Sequence, residues 1–294
     1  MDFLKYRKIY YLFSGILVLG SIIALVVFGL NLGIDFTGGS ILEIEYKQER
    51  PSIDVIKQEL SEFDLGQVYI QPTGEKGVIL RLKALDEESH QKVLNKLKEK
   101  HEIEEKYFES IGPVIGRELK EKTKIVIALS LIAIVLYIAF AFRRISKPVP
   151  SWQYGIAALV ALSHDVLIPL GIFSVLGKYQ GVQITIPIIT ALLTVFGYSV
   201  NDSVVVFDRI RENLIRGTVD YEKAVNQSLN QTLVRSVNTS LTTLFVLLAI
   251  FFFGGETLKY FSLALILGIS FGTYSSLFLA SPLLVSWLHF KRKA

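Results

Sequence analysis

The chain has 294 residues, of which 51% are hydrophobic, with 19 Phe, 13 Tyr and no Cys. Its mean hydropathy is +0.45. Soluble enzymes of this length are rarely so apolar, so the composition excludes that class, and the missing cysteines exclude disulfides, zinc–thiolate sites and thiol catalysis. Residues 36–122 hold 14 basic and 18 acidic residues, more than half of the charged residues of the chain. One segment is therefore suited to water and the remainder to a membrane.

Six apolar stretches are long enough to cross the hydrocarbon core of a bilayer, which takes about 20 helical residues. The predicted spans cover residues 9–30, 125–142, 154–176, 184–207, 236–253 and 260–290. Basic residues precede the first span, as they do in a signal peptide, but its apolar stretch is too long and no A-x-A cleavage pattern follows. We interpret it as a retained anchor that follows a short N-terminal segment at 1–8.

The distribution of Lys and Arg near the span ends predicts the orientation. Fourteen basic residues flank one set of span ends, whereas the two short loops on the other side carry only Lys178 and Lys259. Both termini, including residues 291–294, are therefore expected in the cytoplasm, and the segment 31–122 on the external side. The sequence thus predicts a multi-pass α-helical protein of the cytoplasmic membrane, with five of its spans in a bundle over residues 123–290.

The segment between the first two spans has the pattern of a small α+β domain. Ile41–Tyr46 alternates as a half-buried strand does, and apolar residues at helical spacing follow Pro51. Two further strands are expected around a Pro- and Gly-containing turn, Asp86 is placed to cap a second helix, and a last strand is expected near Tyr107–Ile111. The order βαββαβ is that of ferredoxin-like domains.

No motif for an enzymatic reaction is present. The sequence lacks the G-x-x-x-x-G-K-[ST] phosphate loop and the H-E-x-x-H zinc motif, so we predict no enzyme activity, cofactor or metal site, and no nucleic-acid partner. His90 and His101 lie among Lys and Glu and are interpreted as solvated. Ser163-His164-Asp165 suggests a hydrolase triad, but consecutive helical residues point about 100° apart and cannot align for that chemistry. Asp165 is interpreted as a structural or ion-path carboxylate.

Ionisable residues inside apolar spans are functional candidates, because a charge in a membrane is costly. Asp202 lies late in the fourth span, and a polar stripe at helical spacing (Arg235, Asn238, Thr239 and Thr242) opens the fifth. Such a stripe cannot face lipid, so we expect it to face the bundle interior or a water-filled path and to meet Asp202 there. A carboxylate beside a guanidinium can take up a proton and release the arginine, which makes a two-state electrostatic switch.

A second interpretation of the same residues stays open. Asp202 lies only six residues before Asp208, so it can be a hydrated residue at the cytoplasmic end of its helix, with Arg235 an ordinary positive-inside residue. Asp208 is a secondary candidate, like Asp165. The intervening segment 208–235 is expected to be an amphipathic loop.

Four segments resemble the SecD/SecF family of protein-export membrane subunits. They are GIDFTGG at 33–39, FESIGPVIG at 108–116, SVNDSVVVFDRIREN at 199–213 and RSVNTSLTT at 235–243. The last two are similar to the SecF branch of the family, and the small external segment fits that branch because SecD members have a much larger one. The resemblance covers nearly the whole chain.

The resemblance implies several properties. The fold would be one half of a resistance-nodulation-division transporter, with a SecD-type subunit as the other half. The complex would associate with the Sec translocation channel and use the proton-motive force to pull the translocating polypeptide outward. The family's proton-path carboxylate and arginine match Asp202 and Arg235, whereas Asp35 belongs to the first motif and is expected only to shape its turn.

A lever mechanism follows as a hypothesis. Glycines at both joints of the external segment (Gly33, Gly38, Gly39, Gly112 and Gly116) can absorb backbone changes, so a charge switch in the bundle could swing the domain. Two alternatives are half of a proton-coupled small-molecule exporter and a passive subunit that stabilises a translocon. About 87 external residues would enclose a small ligand poorly, which disfavours the exporter.

Overall fold

The computed structural model describes residues 1–143, 148–215 and 220–293. The last residue of the expected C-terminal segment, Ala294, lies outside these ranges. The contacts divide the chain into two units. The membrane unit consists of Met1–Leu30, Val126–Val182 and the stretch from Ile186 onward. The α+β unit consists of Asn31–Ile125 together with the short stretch Gln183–Thr185.

The elements follow one another along the chain without long gaps. In chain order they are α1 (Arg7–Phe28), α2 (Ile34–Thr37), β1 (Gly39–Tyr46), α3 (Ile53–Glu59), β2 (Tyr69–Thr73), β3 (Gly77–Leu82), α4 (Glu87–Lys100), β4 (Ile103–Ile111), α5 (Pro113–Ala141), α6 (Ser151–Gln180), α7 (Ile186–Ile215), α8 (Tyr221–Phe253), α9 (Glu256–Ser275), a π-helical turn (Ser276–Ala280) and α10 (Ser281–Lys293).

Within the described residues, six helical segments are long and apolar enough to span a membrane, which confirms the expected multi-pass helical fold. They are α1, α5, α6, α7, α8 and the continuous run from α9 through α10. Less than a fifth of the apolar window of α1, α5 and α8 is buried in this single chain, whereas half or more of the apolar window of α6 and α7 is buried. The core of the membrane unit is therefore built around α6, α7 and the α9–α10 run.

The segment expected as a loop at 208–235 is helical over most of its length, so that expectation was wrong. Helix α7 continues to Ile215 and α8 begins at Tyr221, with Ile210 and Val225 fully buried. Hydropathy identifies only the apolar part of a helix, and this part of α8 is polar. Its hydroxyl groups are satisfied within the helix, as Ser228 shows by donating to the carbonyl of Ala224 at 2.7 Å.

Close helix contacts in the membrane unit depend on glycine. A Cβ at Gly171 of α6 would lie 2.4 Å from Cβ of Ser21 in α1, and one at Gly268 of α9 would lie 2.2 Å from Cγ2 of Val195 in α7. Neither distance is compatible with a side chain, so the two glycines allow these helix pairs to approach closely, as small residues do in membrane bundles.

The α+β unit has a four-stranded antiparallel sheet in the order β2-β3-β1-β4. Alternate residues of β1 (Leu42, Ile44 and Tyr46) share a buried cluster with Val78 of β3 and Val93 of α4. The element order and the pairing confirm the predicted ferredoxin-like arrangement. Antiparallel pairing of β1 with both β3 and β4 places the first strand in the interior of the sheet, where both of its edges are hydrogen-bonded.

Helix α4 begins at the predicted cap, Asp86, but His90 does not lie where the sequence predicted. The Asp86 carboxylate accepts a hydrogen bond from the Ser89 amide at 2.9 Å, which holds the pKa of Asp86 below its usual range. His90 is only 3% exposed and stacks on Phe108 with 3.6 Å between the ring centroids. The expectation of a solvated His90 was wrong, because position 90 shares the buried helix face with Val93.

Candidate ion-coupling site in the membrane helices

Asp202 lies in the interior of the membrane unit, on α7, and is only 4% exposed. The hydroxyl groups of Ser236 on α8 and Thr273 on α9 lie beside its carboxyl group, and Arg235 is close enough to interact with it electrostatically. A hydrated residue at a helix end would be exposed, so the burial favours the interior interpretation of Asp202. The carboxyl group sits where three helices meet.

The carboxyl group of Asp202 is incompletely satisfied. Among the residues that the structure describes, neither Asp202 Oδ2 nor the buried Ser236 Oγ has a hydrogen-bond partner. Within the same part of the chain, Arg235 and Asp202 do not form an ion pair. Buried polar atoms are nearly always hydrogen-bonded, so a free carboxylate oxygen here is a group that can accept a proton.

The expected polar stripe lies on a different side of α8 from the residues that face Asp202. Arg235, Asn238 and Thr239 are exposed in this chain, and Thr239 Oγ1 donates only to the carbonyl of Arg235, at 2.8 Å. Ser236 and Ser240 are buried instead. Asn238 and Thr239 therefore do not pack beside Asp202 in this chain, because consecutive helical positions differ by about 100°. Their place along a water-filled ion path stays a prediction.

The inward side of α8 is made of small hydroxyl residues. The hydroxyl oxygens of Ser240 and Thr273 are 2.5 Å apart, and the Tyr198 hydroxyl donates to Ser240 Oγ at 3.4 Å. Ser240 and Thr273 were not predicted from the sequence, because serine and threonine are common in membrane helices and carry no charge. Their spacing gave a usable signal, since Ser236 and Ser240 are four residues apart and share one helix face.

Arg235 borders a cavity of about 410 Å³ whose other charged lining residues come from α7. They are Asp208, Arg209, Arg211 and Glu212. Asp208 is exposed and accepts from Arg211 Nη1 at 3.4 Å, so it belongs to an ion pair at the end of α7 rather than to the buried cluster. The charged lining is suited to water, which gives the guanidinium of Arg235 a polar surrounding.

A second carboxylate, Asp165 on α6, is fully buried and well satisfied. Its Oδ2 accepts from Ser199 Oγ at 2.6 Å and from Ser275 Oγ at 2.8 Å, and its Oδ1 lies 2.9 Å from His164 Nδ1. Ser163 is exposed and donates to the carbonyl of its own helix, so these three neighbours do not form a hydrolase triad. Asp165 connects α6 to α7 and α9.

The carboxylates of Asp165 and Asp202 both lie at the contact between α7 and α9. Ser199 lies three residues before Asp202 on α7, and Ser275 lies two residues after Thr273 on α9. Gly272 of α9 approaches α7 closely, since a Cβ there would lie 3.3 Å from the Ser199 Cβ. A change in the α7–α9 contact therefore alters the surroundings of both carboxylates.

The motif glycines mostly serve close packing within the α+β unit. A Cβ at Gly38 would lie 2.7 Å from the Pro113 Cα, and one at Gly116 would lie 2.7 Å from the Gly38 nitrogen. Gly38 and Gly39 also have φ values of 73° and 133°, which other residues rarely adopt. Gly112 has open space around it. The role of these residues as hinges stays a prediction.

Asp35 lies in the short helix α2, between these glycines. It is 9% exposed and is in the first turn, where the helix dipole favours a carboxylate. Its carboxylate would be 3.7 Å from a Cβ at Gly33. The position agrees with a role in shaping the turn. In the described part of the chain, no group of three or more His, Asp or Glu residues is arranged to hold a metal ion.

Two family models and several relatives match this chain. The family described as protein export membrane protein SecD/SecF, C-terminal, matches residues 90–290, and the SecD/SecF GG motif matches residues 23–49. The chain belongs to the SecD/SecF family. Protein translocase subunit SecF of Thermobaculum terrenum is 46% identical over 98% of this chain and 94% of the relative, and that of Haemophilus influenzae is 37% identical over 95% and 83%.

Solved structures of the family share the fold. SecDF of Thermus thermophilus, described as a translocon-associated membrane protein, matches with a TM-score of 0.85 and 34% identity over 98% of this chain. A second SecDF structure, in a form called super-membrane-facing, matches with a TM-score of 0.70 over 100% of the chain. The chain spans 38% of the first SecDF chain and 39% of the second.

Proposed function

We propose that this chain is the SecF-type subunit of a complex that exports polypeptides across the cytoplasmic membrane and draws on the proton-motive force. The observation that carries the proposal is Asp202, a buried carboxyl group of α7 that lies beside hydroxyl groups of α8 and α9 and within electrostatic reach of Arg235. Apolar burial disfavours a charged carboxylate and a nearby guanidinium favours it, so proton uptake and release at this place change the forces between α7 and α8.

The energy available to such a switch is sufficient for mechanical work. Moving one charge through the membrane potential yields about 2.3 kcal/mol per 100 mV. A charged Asp202 attracts the guanidinium of Arg235 and a neutral Asp202 does not, and the three helices around the carboxyl group respond to that change. The proposed partners are a SecD-type subunit, the Sec translocation channel and the translocating polypeptide, with both termini cytoplasmic and the α+β unit on the external side.

The exposed face of α8 supports a SecD-type partner. Arg235, Asn238 and Thr239 lie on a membrane helix, yet they are exposed in this chain. Polar groups at membrane depth face protein or water, so a second helical subunit or a water-filled path at that subunit must cover them.

The test uses vesicles containing the chain, its SecD-type partner, the Sec channel and the cytoplasmic ATPase. Asp202→Asn and Arg235→Ala are expected to abolish the part of export that needs the proton gradient and to leave ATP-driven export intact. Asn201→Ala, an exposed neighbour on α7, is the matched control and should keep gradient-dependent export. If both site variants retain it at normal protein levels, the chain is a passive subunit.

A further inference from the structure

The loop between α6 and α7 belongs by its contacts to the α+β unit, although both helices belong to the membrane unit. Helix α6 ends at Gln180, and Gly181 follows in the left-handed conformation, with φ of 70°. Helix α7 begins at Ile186, so the loop is short and is fixed at both ends by long helices. Its last three residues, Gln183–Thr185, are grouped with the sheet domain.

Backbone hydrogen bonds attach this loop to the segment that follows α1. The amide of Ile184 donates to the carbonyl of Asn31 at 2.7 Å, and the amide of Gly33 donates to the carbonyl of Ile184 at 2.8 Å. Leu32 and Ile184 form a parallel β-bridge. The contact is tight, since a Cβ at Gly33 would lie 3.1 Å from the Ile184 carbonyl oxygen.

A side-chain hydrogen bond extends the attachment to the sheet. Arg81 Nε donates to Gln183 Oε1 at 3.0 Å, and Arg81 Nη1 donates to Gln71 Oε1 at 2.7 Å. Arg81 lies on β3, where it is paired with Ile41 of β1 on one side and Tyr69 of β2 on the other. The loop is therefore connected to an interior strand rather than to an edge strand.

We propose that Arg81 and Gln183 are a positioning pair that couples α6 and α7 to the α+β unit. Asp165 lies on α6 and Asp202 on α7, so this loop joins the two helices that carry the buried carboxylates. A displacement of either helix moves the loop, and the guanidinium of Arg81 passes that movement to β3. The inference rests on the proposed function, because it requires the charge of Asp202 to change.

This route differs from the lever suggested by the joint glycines. The glycine joints connect the α+β unit to α1 and α5, which carry neither Asp165 nor Asp202. The loop connects it to the two helices that carry them. Helices transmit small displacements as rigid bodies, so a contact at the end of α6 and α7 receives the movement without an intermediate hinge.

The first experiment measures whether the pair holds the loop. Hydrogen exchange is followed in the full chain, reconstituted in lipid nanodiscs with its SecD-type partner, for peptides covering 31–33 and 183–185. Gln183→Ala is expected to raise exchange in both peptides by roughly tenfold, because a hydrogen bond to a charged group is lost. Gln71→Ala removes the other bond of Arg81 and should leave both peptides unchanged. Equal exchange in the two variants would overturn the assignment.

The second experiment measures coupling. The chain has no native cysteine, so spin labels attach only at Glu88→Cys on α4 and Ile215→Cys at the end of α7, both exposed positions. Asp202→Asn, which mimics the neutral acid, is expected to shift the distance distribution between the labels. With Gln183→Ala the shift should be strongly reduced, since only the backbone bonds to residues 31–33 then hold the loop, whereas with Gln71→Ala it should remain. Gln183→Glu keeps an acceptor for Arg81 and should preserve the shift.

The outcomes separate the inference from the proposed function. A shift of full size in the Gln183→Ala background, or no shift in any background, overturns the coupling role of the pair. A shift that depends on Gln183 while Asp202→Asn keeps gradient-dependent export supports the coupling role and contradicts the proposed function. Loss of both the shift and the export in Gln183→Ala, with both retained in Gln183→Glu, supports the two together.

Discussion

The contact between α7 and α9 should not tolerate a single added methyl group at Gly268. A Cβ there would lie 2.2 Å from Cγ2 and 2.8 Å from Cγ1 of Val195. Carbon atoms pack best at roughly 3.5–4.0 Å, so the shorter contact must open by roughly 1.3–1.8 Å. Valine in a helix has one strongly preferred rotamer, so the side chain cannot rotate away and the helices must separate.

The expected free energy follows from two opposing effects of Gly268→Ala. Overpacking costs about 1–3 kcal/mol, whereas replacing glycine by alanine inside a helix stabilises it by about 0.5–1 kcal/mol. We expect a net loss of about 1–2 kcal/mol in the free energy of unfolding. Val195 lies seven residues before Asp202, on the same side of α7, so the separation also moves Asp202 away from Thr273 and should reduce gradient-dependent export.

The assay is thermal or denaturant unfolding of the full chain in detergent micelles, followed by the fluorescence of Trp152 and Trp287. Gly197→Ala is the matched control, because Gly197 lies within α7, the other helix of this contact, and a Cβ at that position would have no neighbour within 4 Å. It should be as stable as the parent or slightly more so. Val195→Ala should restore stability to Gly268→Ala. Equal stability of Gly268→Ala and Gly197→Ala would refute the reasoning.

Three further predictions concern buried or capping groups. Asp165→Ala removes the acceptor of the Ser199 hydroxyl and of an imidazole nitrogen and leaves Ser275 Oγ only the Gly272 carbonyl, so it should cost about 3 kcal/mol or more in the same unfolding assay, whereas Ser163→Ala should stay within about 0.5 kcal/mol; equal effects would contradict the buried cluster. Asp86→Ala removes a helix cap worth about 1 kcal/mol and should speed amide exchange in α4 about fivefold, unlike the exposed control Glu88→Ala; unchanged exchange would argue against the cap. Burial raises the pKa of Tyr46 from 10.0 to about 12, so the folded α+β unit holds a proton that the unfolded chain loses. Its stability should therefore fall as the pH rises through that interval, and Tyr46→Phe should lessen the fall; identical pH profiles would contradict this.

The architecture followed from the sequence because two strong signals agreed. Apolar runs of membrane length indicated the six spans, and the period-two pattern of Ile41–Tyr46 with the Asp86 cap indicated the ferredoxin-like order. Helix ends were less accurate, since α8 begins at Tyr221 rather than near residue 236. Hydropathy could not identify that polar segment as helix, because its stability comes from tertiary packing of residues such as Val225.

Only part of the candidate site could be predicted from the sequence. Asp202 stood out because a carboxylate inside an apolar span is costly, and the structure places it in the interior. The orientation of α8 about its own axis could not be predicted from the sequence. Arg235 and Ser236 are adjacent, and only the neighbouring helices decide which of them faces inward. The loop at Gln183 was missed entirely, since its importance comes from a partner on β3, 102 residues away in the chain.

The exposed side of α8 has a consequence for biogenesis. Arg235, Asn238 and Thr239 lie on one exposed side of α8, and polar side chains of a membrane helix are costly where lipid covers them. A copy of the chain without its neighbour keeps that cost, whereas an assembled copy does not. A copy made in excess of its neighbour is therefore expected to be less stable in the membrane than an assembled copy, because of the same helix that carries the proposed switch.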